Sequence, residues 1–529
     1  MTFVLLSLIL SYLYHLYSQE SAVRPDVRMN LIIDGDRGDP DGSIINVMRN
    51  DSTMKMFGLN AISKEPIAVS AIVLPQAKLR YGGGAIVDPM LSGTWNMDGK
   101  KFSNPPVNSQ NIGYGMLIVG GRGPPTDQIL VPVGEFKKLL ESDAASCGLK
   151  LISLGNHLAC SSRLESISEN LTRMLSARFV VVILLEDCYG SVKLAADKMG
   201  LTTQCVKMIK LERLPKGYCQ NLMLKINSKL GGTNHTLVSR LASGKMPASS
   251  GAVFQDPPAS LSWIFDKPTM LVGIDVSHGE TMASTESVAA VVASMDGRAG
   301  QYAAHISVQG ARVEIVSDLE NAMTSLLTTF RQKNNSKMPS SIIVYRDGVG
   351  EGQFSQVTTT ELTAIRGAVE LMGYTTDNVK IMIVVCQKGH HTRFVYEDQI
   401  DGSKAFINPC PGLCIDASGG IDSIVSGKLN QFYLNSHAAI QGTAKPCKYT
   451  LVHDEIGIKI SELEILTYWL TYMYCRANKS VSYASPAYYA HWASKRGKYL
   501  TAAGATSTDL LSISNTWGDS TKRPTMFFV

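Results

Sequence analysis

The order of apolar and polar positions divides the chain into two parts with different predicted folds. Between residues 111 and 245, strand patterns at 115–119 and 179–185 alternate with helical patterns at 133–145 and 220–230. This alternation is typical of a parallel sheet with helices on both faces. In such sheets, ligands bind beyond the carboxyl ends of the strands. We therefore predict an α/β, Rossmann-like domain here.

A different order begins near residue 269. Strand patterns at 270–276, 287–295 and 301–308 follow one another with short turns, which predicts antiparallel pairing. The pattern then predicts a long helix, a strand, a second helix and a last strand. These elements are predicted at 314–331, 342–345, 353–372 and 380–385. Three antiparallel strands followed by β-α-β is the order of an RNase H-like fold.

The first 110 residues carry no pattern that suggests chemistry. We predict partial helix over 28–50 with a loop at 35–40, and strands within 56–74. The apolar run at 3–17 is too short for a membrane span, and no Lys or Arg precedes it as in a signal peptide. We therefore expect neither signal nor anchor, no membrane partner, and a cytoplasmic protein, with the nucleus as the alternative.

The composition excludes only a few classes of protein function. Charged residues make up 18% of the chain and the net charge is +5, so nucleic-acid binding would need local clusters of cations. Ten cysteines lack paired spacing, and no CxxC or histidine cluster accompanies Cys410 and Cys414. We predict free thiols in a reducing compartment, not a zinc site.

The most informative stretch is 345–354, YRDGVGEGQF. An apolar run places Asp347 at the carboxyl end of a predicted strand, before a glycine-rich turn, and Asp275 lies on an earlier predicted strand. Taken alone, an aspartate here is also explained by a helix N-terminus. Two carboxylates at one sheet edge would suit Mg²⁺, which prefers hard oxygen ligands. The whole stretch resembles the signature of the Argonaute/Piwi family, with Gly350 in place of serine.

The resemblance implies a catalytic tetrad and a reaction. Asp275, Glu314, Asp347 and His491 match the Asp-Glu-Asp-His set, with Glu320 as the alternative for the glutamate. Asp275, Asp347 and His491 would be the metal ligands. The implied cofactor is Mg²⁺, with Mn²⁺ as the alternative, and the implied reaction is two-metal hydrolysis of RNA. Gly279 stands where the family has proline, which removes no ligand.

A second set of residues suits a terminal phosphate. Tyr189 and Lys193, and also Lys225 and Lys229, are spaced to share a helix face. Solvated surface lysines are the plain alternative. The surrounding sequence resembles the family's MID domain, which implies a guide 5′-phosphate site. Its residues would be Tyr189, Lys193, Gln204, Asn221, Lys225, Lys229 and Arg496. The preceding loop, 186–188, departs from the family pattern, which leaves the first-base preference open.

Further cations resemble the family's contacts to nucleic-acid backbone, which give affinity without sequence preference. They are Lys388, Arg393, His437, Lys445 and Arg476. Gly389 stands where the family has arginine, so one cation is missing. The partners implied are a small guide RNA, a complementary target RNA and silencing-complex proteins.

The resemblance runs from Arg24 to the last residue and implies a domain order. We expect a linker at 23–110, MID at 111–245 and PIWI at 246–529, with a Piwi-type profile over about 178–500, after a doubtful stretch at 1–22. No stretch of the sequence resembles the family's N and PAZ domains. We expect that the apolar N-terminal stretch stands in place of missing upstream sequence. Three functions stay open: a guided endonuclease, a guide-binding silencing factor without cleavage, and a non-functional fragment.

Overall fold

The computed structural model describes most of the chain, in several ranges. They are residues 22–34, 43–58, 66–121, 123–155, 157–238, 253–254, 261, 264–265, 267–279, 286–375, 377–400, 403–416, 430–518 and 526–529. The apolar run at 3–17, the predicted loop at 35–40 and most of residues 246–268 lie outside them. No helix within these ranges is long and apolar enough to cross a bilayer.

The described strands belong to four sheets and are numbered here in chain order. They are β1 Ile72–Val73, β2 Leu79–Arg80, β3 Ile86–Val87, β4 Ile112–Val119, β5 Leu151–Ser153, β6 Leu158–Cys160, β7 Phe179–Leu184, β8 Thr203–Lys207, β9 Thr236–Leu237, β10 Val253–Phe254, β11 Thr269–Ser277, β12 Glu286–Ser294, β13 Tyr302–Gly310, β14 Ser341–Asp347, β15 Lys380–Gln387, β16 Tyr396–Ile400, β17 Ser403–Ile407, β18 Leu413–Asp416, β19 Asn430–Asn435 and β20 Cys447–Asp454.

The described helices are numbered in the same way. They are α1 Pro25–Ile33, α2 Ile44–Asn50, α3 Ser52–Met56, α4 Asp127–Ser146, α5 Leu164–Thr172, α6 Tyr189–Met199, α7 Met208–Arg213, α8 Tyr218–Lys229, α9 Leu319–Lys333, α10 Leu362–Leu371, α11 Ile460–Leu470, α12 Ser485–Ala502 and α13 Ser507–Gly518. Short helical turns at Gly82–Gly84, Glu351–Gln353, Phe354–Gln356, Val357–Glu361 and Thr471–Met473 complete the set.

The first large sheet is parallel and Rossmann-like, as the β-α alternation predicts. Its order is β5-β4-β7-β8, and β6 also pairs with β4. Every residue of β7 is buried because helices cover both faces, which explains its continuous apolar sequence. α6 follows β7, and Lys193 of α6 and Lys229 of α8 both contact Thr203 at the start of β8.

The second large sheet is RNase H-like. Its described strands run β10-β1-β18-β19-β20-β15-β14-β11-β12-β13. β11, β12 and β13 pair antiparallel, and β14 lies parallel between β11 and β15, as predicted. One apolar cluster joins α9 and α10 to one face of this sheet, and a second joins α12 to the other face and continues beneath the Rossmann-like sheet.

Two local predictions are wrong. The helix predicted from 314 begins at Leu319, because the side chain of Gln309 holds the preceding segment by hydrogen bonds to Val313, Ile315 and Ser317. The helix predicted at 353–372 is interrupted by a π-helical turn at Val357–Glu361. The strands predicted within 56–74 are represented by β1, and residues 59–65 of that range lie outside the described residues.

Two smaller sheets complete the described fold. One has the order β3-β2-β9, and the other is the hairpin β16-β17. All ten cysteines are free thiols, as predicted.

Candidate functional site

Two adjacent parallel strands bring Asp275 and Asp347 to one edge of the large sheet. Ile274 on β11 is paired with Arg346 on β14, and Asp275 and Asp347 are the next residues on these two strands. Burial and the nearby Asp275 carboxylate raise the pKa of Asp347 to about 7. Burial would raise the pKa of Asp275 as well, but hydrogen bonds from His491 and Ser494 hold it below its ordinary value. The two carboxylates thus form a site of concentrated negative charge.

His491 reaches this edge because α12 packs closely on β11. Gly273 has no side chain, and a Cβ there would collide with the backbone of Pro486 at the start of α12. The close approach places His491 Nδ1 3.4 Å from Asp275 Oδ2. Ser494, one helical turn further on, donates a 2.7 Å hydrogen bond to the same oxygen. Sequence reasoning missed Ser494, although its i+3 spacing from His491 places it on the same helix face.

Glu314 comes from the loop after β13 and lies beside the aspartates. The space that a Cβ of Gly348 would occupy is 3.0 Å from Glu314 Oε1 and 4.0 Å from Asp275 Oδ1. Glu320, the alternative glutamate, is exposed on α9 and packs against Gly367 instead. The structure therefore brings Glu314, and not Glu320, to the edge that carries Asp275 and Asp347.

Two basic residues hold Glu314 in place. Arg346 donates to Glu314 Oε1 at 2.9 Å, and His278 Nε2 is 2.9 Å from Oε2. Arg346 is fully buried and also forms a paired contact with the carboxylate of Glu361. Burial raises the pKa of Glu314, and these partners oppose the rise. Sequence reasoning assigned no role to His278, Arg346 or Glu361; the placement of Arg346 directly before Asp347 was the available signal.

The residues present fit a divalent cation. Asp275 and Asp347 place two like charges close together in a buried setting, and a bound cation would relieve that repulsion. Within the ranges that the structure describes, no group of three His, Cys, Asp or Glu side chains is close enough to hold a metal ion unaided. Water and substrate oxygens complete many Mg²⁺ sites, so two carboxylates remain a sufficient protein contribution.

Six of the seven predicted phosphate-binding residues line a cavity of about 120 Å³ where α12 packs against the Rossmann-like domain. They are Tyr189, Lys193, Gln204, Lys225, Lys229 and, from α12, Arg496. Asn221 does not: it lines an adjoining cavity of about 510 Å³, which shares Gln204, Lys225 and Arg476 with the first.

Hydrogen bonds to residues at the start of β8 hold two lysines of the small cavity in place. Lys193 donates to Thr203 Oγ1 at 2.7 Å, and Lys229 donates to Gln204 Oε1 at 3.0 Å. Burial and the positive charge of Lys193 lower the pKa of Lys229 well below its ordinary value. Burial and the positive charge of Arg476 lower the pKa of Lys225 to about 8. This crowding of cations without carboxylate partners is the pattern expected of a site for an anion.

Arg496 is held differently from the lysines. It is buried, donates to Asp197 Oδ2 at 2.7 Å and to the Phe527 carbonyl at 2.9 Å. These contacts tie the chain's C-terminal segment and α6 to α12. Arg496 therefore connects the two large sheets at the wall of the cavity.

The remaining predicted backbone contacts lie in separate places. Lys388 donates to Ser482 Oγ at 2.6 Å, and its positive charge opposes the rise in the pKa of Asp347. Arg393 donates to the carbonyls of His390 and Thr392. Burial lowers the pKa of His437 to about 4, so it is neutral near pH 7. Arg476 lines both cavities, and Lys445 is exposed near Lys388.

Known proteins resemble this chain in both sequence and fold. The Piwi domain model matches residues 179–502. Protein argonaute 5 of Arabidopsis thaliana is 35% identical over 85% of this chain and 44% of its own length. Argonaute-2 of Drosophila melanogaster is 31% identical over 85% of this chain and 35% of its own length. The chain thus spans less than half the length of these two relatives.

Solved structures agree on the fold. Kluyveromyces polysporus Argonaute, solved with a guide RNA, superposes with a TM-score of 0.76 at 21% identity, over 93% of this chain and 57% of that one. The C-terminal lobe of a budding yeast Argonaute superposes with a TM-score of 0.72 at 20% identity, over 87% and 95%. With the matched Piwi domain covering more than half of its residues, this chain belongs to the Argonaute/Piwi family.

Proposed function

We propose that this chain is a small-RNA-guided silencing protein that binds the 5′ phosphate of a guide RNA and cleaves complementary target RNA. The observation that carries the proposal is the pairing of β11 with β14, which sets Asp275 and Asp347 side by side at a sheet edge. Family membership supports guided silencing, and the two carboxylates support hydrolysis.

The residues have distinct roles in this proposal. Divalent metal ions held by Asp275 and Asp347, with His491, would activate water and stabilise the leaving oxygen of the phosphodiester. Asp275 presents Oδ1 toward the space beside Gly348, because Oδ2 is taken by Ser494 and His491. Glu314 borders the same space, and Lys388 brings a positive charge near Asp347.

Guide binding uses the small cavity. A terminal phosphate carries a charge of about −1.5 to −2 near pH 7, and lysine ammonium groups with a phenol and an amide would neutralise and orient it. Lys193, Lys229, Tyr189 and Gln204 supply those groups in this cavity, beside the start of β8. Target sequence would be read by base pairing with the guide, as in other guided nucleases.

One assay tests the proposal. The full chain is loaded with a 5′-phosphorylated small RNA and given a labelled complementary target, with Mg²⁺ or with EDTA. We expect one cut at a fixed distance from the guide 5′ end in Mg²⁺ only. The cut should be lost in Asp347→Asn and retained in Asp88→Asn, an exposed aspartate of a surface ion pair.

Guide binding is measured in parallel and separates the alternatives. Asp347→Asn should bind the guide as the native chain does, because the two cavities and the aspartates use different residues. Tight guide binding by the native chain without a cut would leave a binding-only silencing factor. Absence of guide binding by the native chain would refute the proposal altogether.

A further inference from the structure

Two free thiols lie beside the small cavity and have no role in the proposed function. Cys205 on β8 is partly exposed and lines both cavities. Cys188 is buried and is the residue directly before α6. The next residue along the chain, Tyr189, lines the small cavity. A chemical change at either thiol would therefore reach the proposed phosphate pocket.

The packing of α6 along β8 brings Cys188 over Cys205. Lys193 of α6 donates to Thr203 Oγ1 at 2.7 Å, so α6 covers the face of β8 that carries this side chain. Cys205 lies two residues further along the strand and shares that face. Because β7 and β8 are parallel, the helix between them runs in the opposite direction. Five residues back along α6, about 7.5 Å, thus match two residues forward along β8, about 6.6 Å.

Two further observations agree with this placement. Both thiols belong to the apolar cluster that joins α6 to the sheet. Burial, and then the nearby Cys205, raise the pKa of the Cys188 thiol to about 12, so Cys188 stays protonated. Oxidation of a thiol depends on access as well as on charge, and Cys205 is the one that opens to the cavities. An oxidant would therefore react first at Cys205.

We propose that Cys205 and Cys188 are a peroxide-sensitive thiol pair whose disulfide closes the phosphate pocket. Hydrogen peroxide oxidises the Cys205 thiol to a sulfenic acid and is itself reduced to water. The Cys188 sulfur then attacks the sulfenic sulfur. An S–S bond forms, the S–O bond breaks, and the hydroxyl group leaves with the Cys188 proton as a second water. A dithiol reductant reverses the oxidation by thiol–disulfide exchange.

The disulfide would alter the cavity because it requires the two Cβ atoms to approach to about 3.8 Å. It would draw the start of α6 toward β8, together with Tyr189 and Lys193, which line the cavity. Guide binding should therefore weaken while the bond is present. In a reducing compartment such a bond is transient, as in other redox sensors. The effect on guide binding rests on the proposed phosphate pocket, whereas formation of the disulfide does not.

The test exposes the full chain to hydrogen peroxide, blocks the remaining thiols and maps its peptides by mass spectrometry without reduction. We expect a linked peptide that joins Cys188 to Cys205 and that disappears with dithiothreitol. Affinity for a 5′-phosphorylated RNA should fall about tenfold on oxidation and recover on reduction. RNA bound beforehand should slow the oxidation of Cys205, because it fills the cavity that exposes the thiol.

Three serine variants separate the steps. Cys205→Ser should bind the RNA equally well before and after peroxide. Cys188→Ser leaves the sulfenic acid without a partner, so it oxidises further to sulfinic acid, and dithiothreitol should not restore binding. Cys160→Ser is the matched control, because Cys160 is a partly exposed thiol of the same apolar cluster, and it should respond to peroxide as the native chain does.

Other outcomes would overturn the inference in distinct ways. Sulfinic acid at Cys205 of the native chain, without a linked peptide, would remove the disulfide. A linked peptide that joins Cys160 to either thiol would show that the pair is wrongly assigned. A complete Cys188–Cys205 disulfide with unchanged affinity for 5′-phosphorylated RNA would remove its effect on the pocket. If the reduced native chain does not prefer a 5′-phosphate over a 5′-hydroxyl, the proposed pocket fails, and the linked peptide alone decides whether the thiol pair exists.

Discussion

Ser494 Oγ lies 2.7 Å from Asp275 Oδ2 and donates its proton to that oxygen. The hydroxyl of Ser277 is 2.8 Å from Ser494 and must then be the donor in that contact. Ser494 thus fixes Oδ2 of Asp275, and the other oxygen, Oδ1, borders the space beside Gly348 that Glu314 also borders. Ser494 is a positioning residue for a proposed metal ligand.

Replacing Ser494 should raise the metal concentration that the protein needs. Without the hydroxyl, the Asp275 carboxylate can rotate, and a hydrogen bond to a charged group contributes about 1.5–3 kcal/mol. We expect Ser494→Ala to raise the half-saturating Mg²⁺ concentration for cleavage about tenfold, and to weaken Mn²⁺ binding measured by calorimetry without RNA. Guide affinity should not change.

Ser277→Ala is the matched control for Ser494→Ala. Ser277 touches Ser494 but, among the contacts of the described residues, has no hydrogen bond to Asp275. Its replacement should have a smaller effect on Mn²⁺ binding. Equal Mn²⁺ affinities for Ser494→Ala and the native chain would show that Ser494 does not position Asp275.

The contact between Arg346 and Glu361 predicts a large effect on stability. Both side chains are buried, and Glu361 also accepts from the backbone N–H of Val316, in the segment that carries Glu314. Removing one partner of a buried ion pair leaves an uncompensated charge and costs about 3–5 kcal/mol. Glu361→Ala should lower the free energy of unfolding by that amount, as measured by urea denaturation, and should also reduce cleavage.

Glu370→Ala provides the comparison for Glu361→Ala. Glu370 lies on α10, nine residues later, and is exposed. Its replacement should change the free energy of unfolding by less than about 0.5 kcal/mol. A similarly small loss in Glu361→Ala would mean that Arg346 finds another partner.

The sequence was sufficient where pattern and charge act locally. The apolar run of β14 with Asp347 at its end, the helical spacing of Lys225 and Lys229, and the antiparallel order of β11 to β13 all follow from periods of two or 3.6 residues. The order of the predicted strands and helices then indicated the fold of both large sheets.

The sequence was insufficient where distant segments meet. The bonds from His278 and Arg346 to Glu314 join three separated loops and strands, and the stacking of Arg476 on Trp492 depends on how α12 lies against its neighbours. Gln309 prevented the predicted start of α9 through contacts made in the folded state. None of these has a periodic signal in the chain.

Replacing Lys229 should weaken binding of the 5′ phosphate without weakening binding of the rest of the RNA. Lys229 is buried at the base of the small cavity, so Lys229→Met keeps its volume and removes its charge. We expect affinity for a 5′-phosphorylated RNA to fall about tenfold or more, because charge-assisted hydrogen bonds to phosphate are lost. Affinity for the same RNA with a 5′-hydroxyl should stay within about twofold when both are measured by filter binding.

Lys198→Met controls for loss of charge on the same domain. Lys198 lies on α6, is about half exposed and pairs with Asp509. Its replacement should affect both RNAs equally and slightly. Equal weakening of both RNAs by Lys229→Met would contradict a terminal-phosphate site at this lysine.

Glu464 on α11 predicts a pH-dependent stability that is separate from the proposed sites. Burial, and then the nearby Asp416 carboxylate, raise the pKa of Glu464 to about 8. The folded state therefore favours the protonated form, so its contribution to stability is complete below the unfolded pKa of about 4.3 and is lost as the pH rises through about 8.

Glu464→Gln keeps the shape of the side chain and cannot ionise. Its melting temperature should match that of the native chain near pH 5 and exceed it near pH 8.5. Glu462→Gln, on the same helix, should shift the melting temperature equally at both pH values. A constant difference between Glu464→Gln and the native chain would show that Glu464 does not titrate in this range.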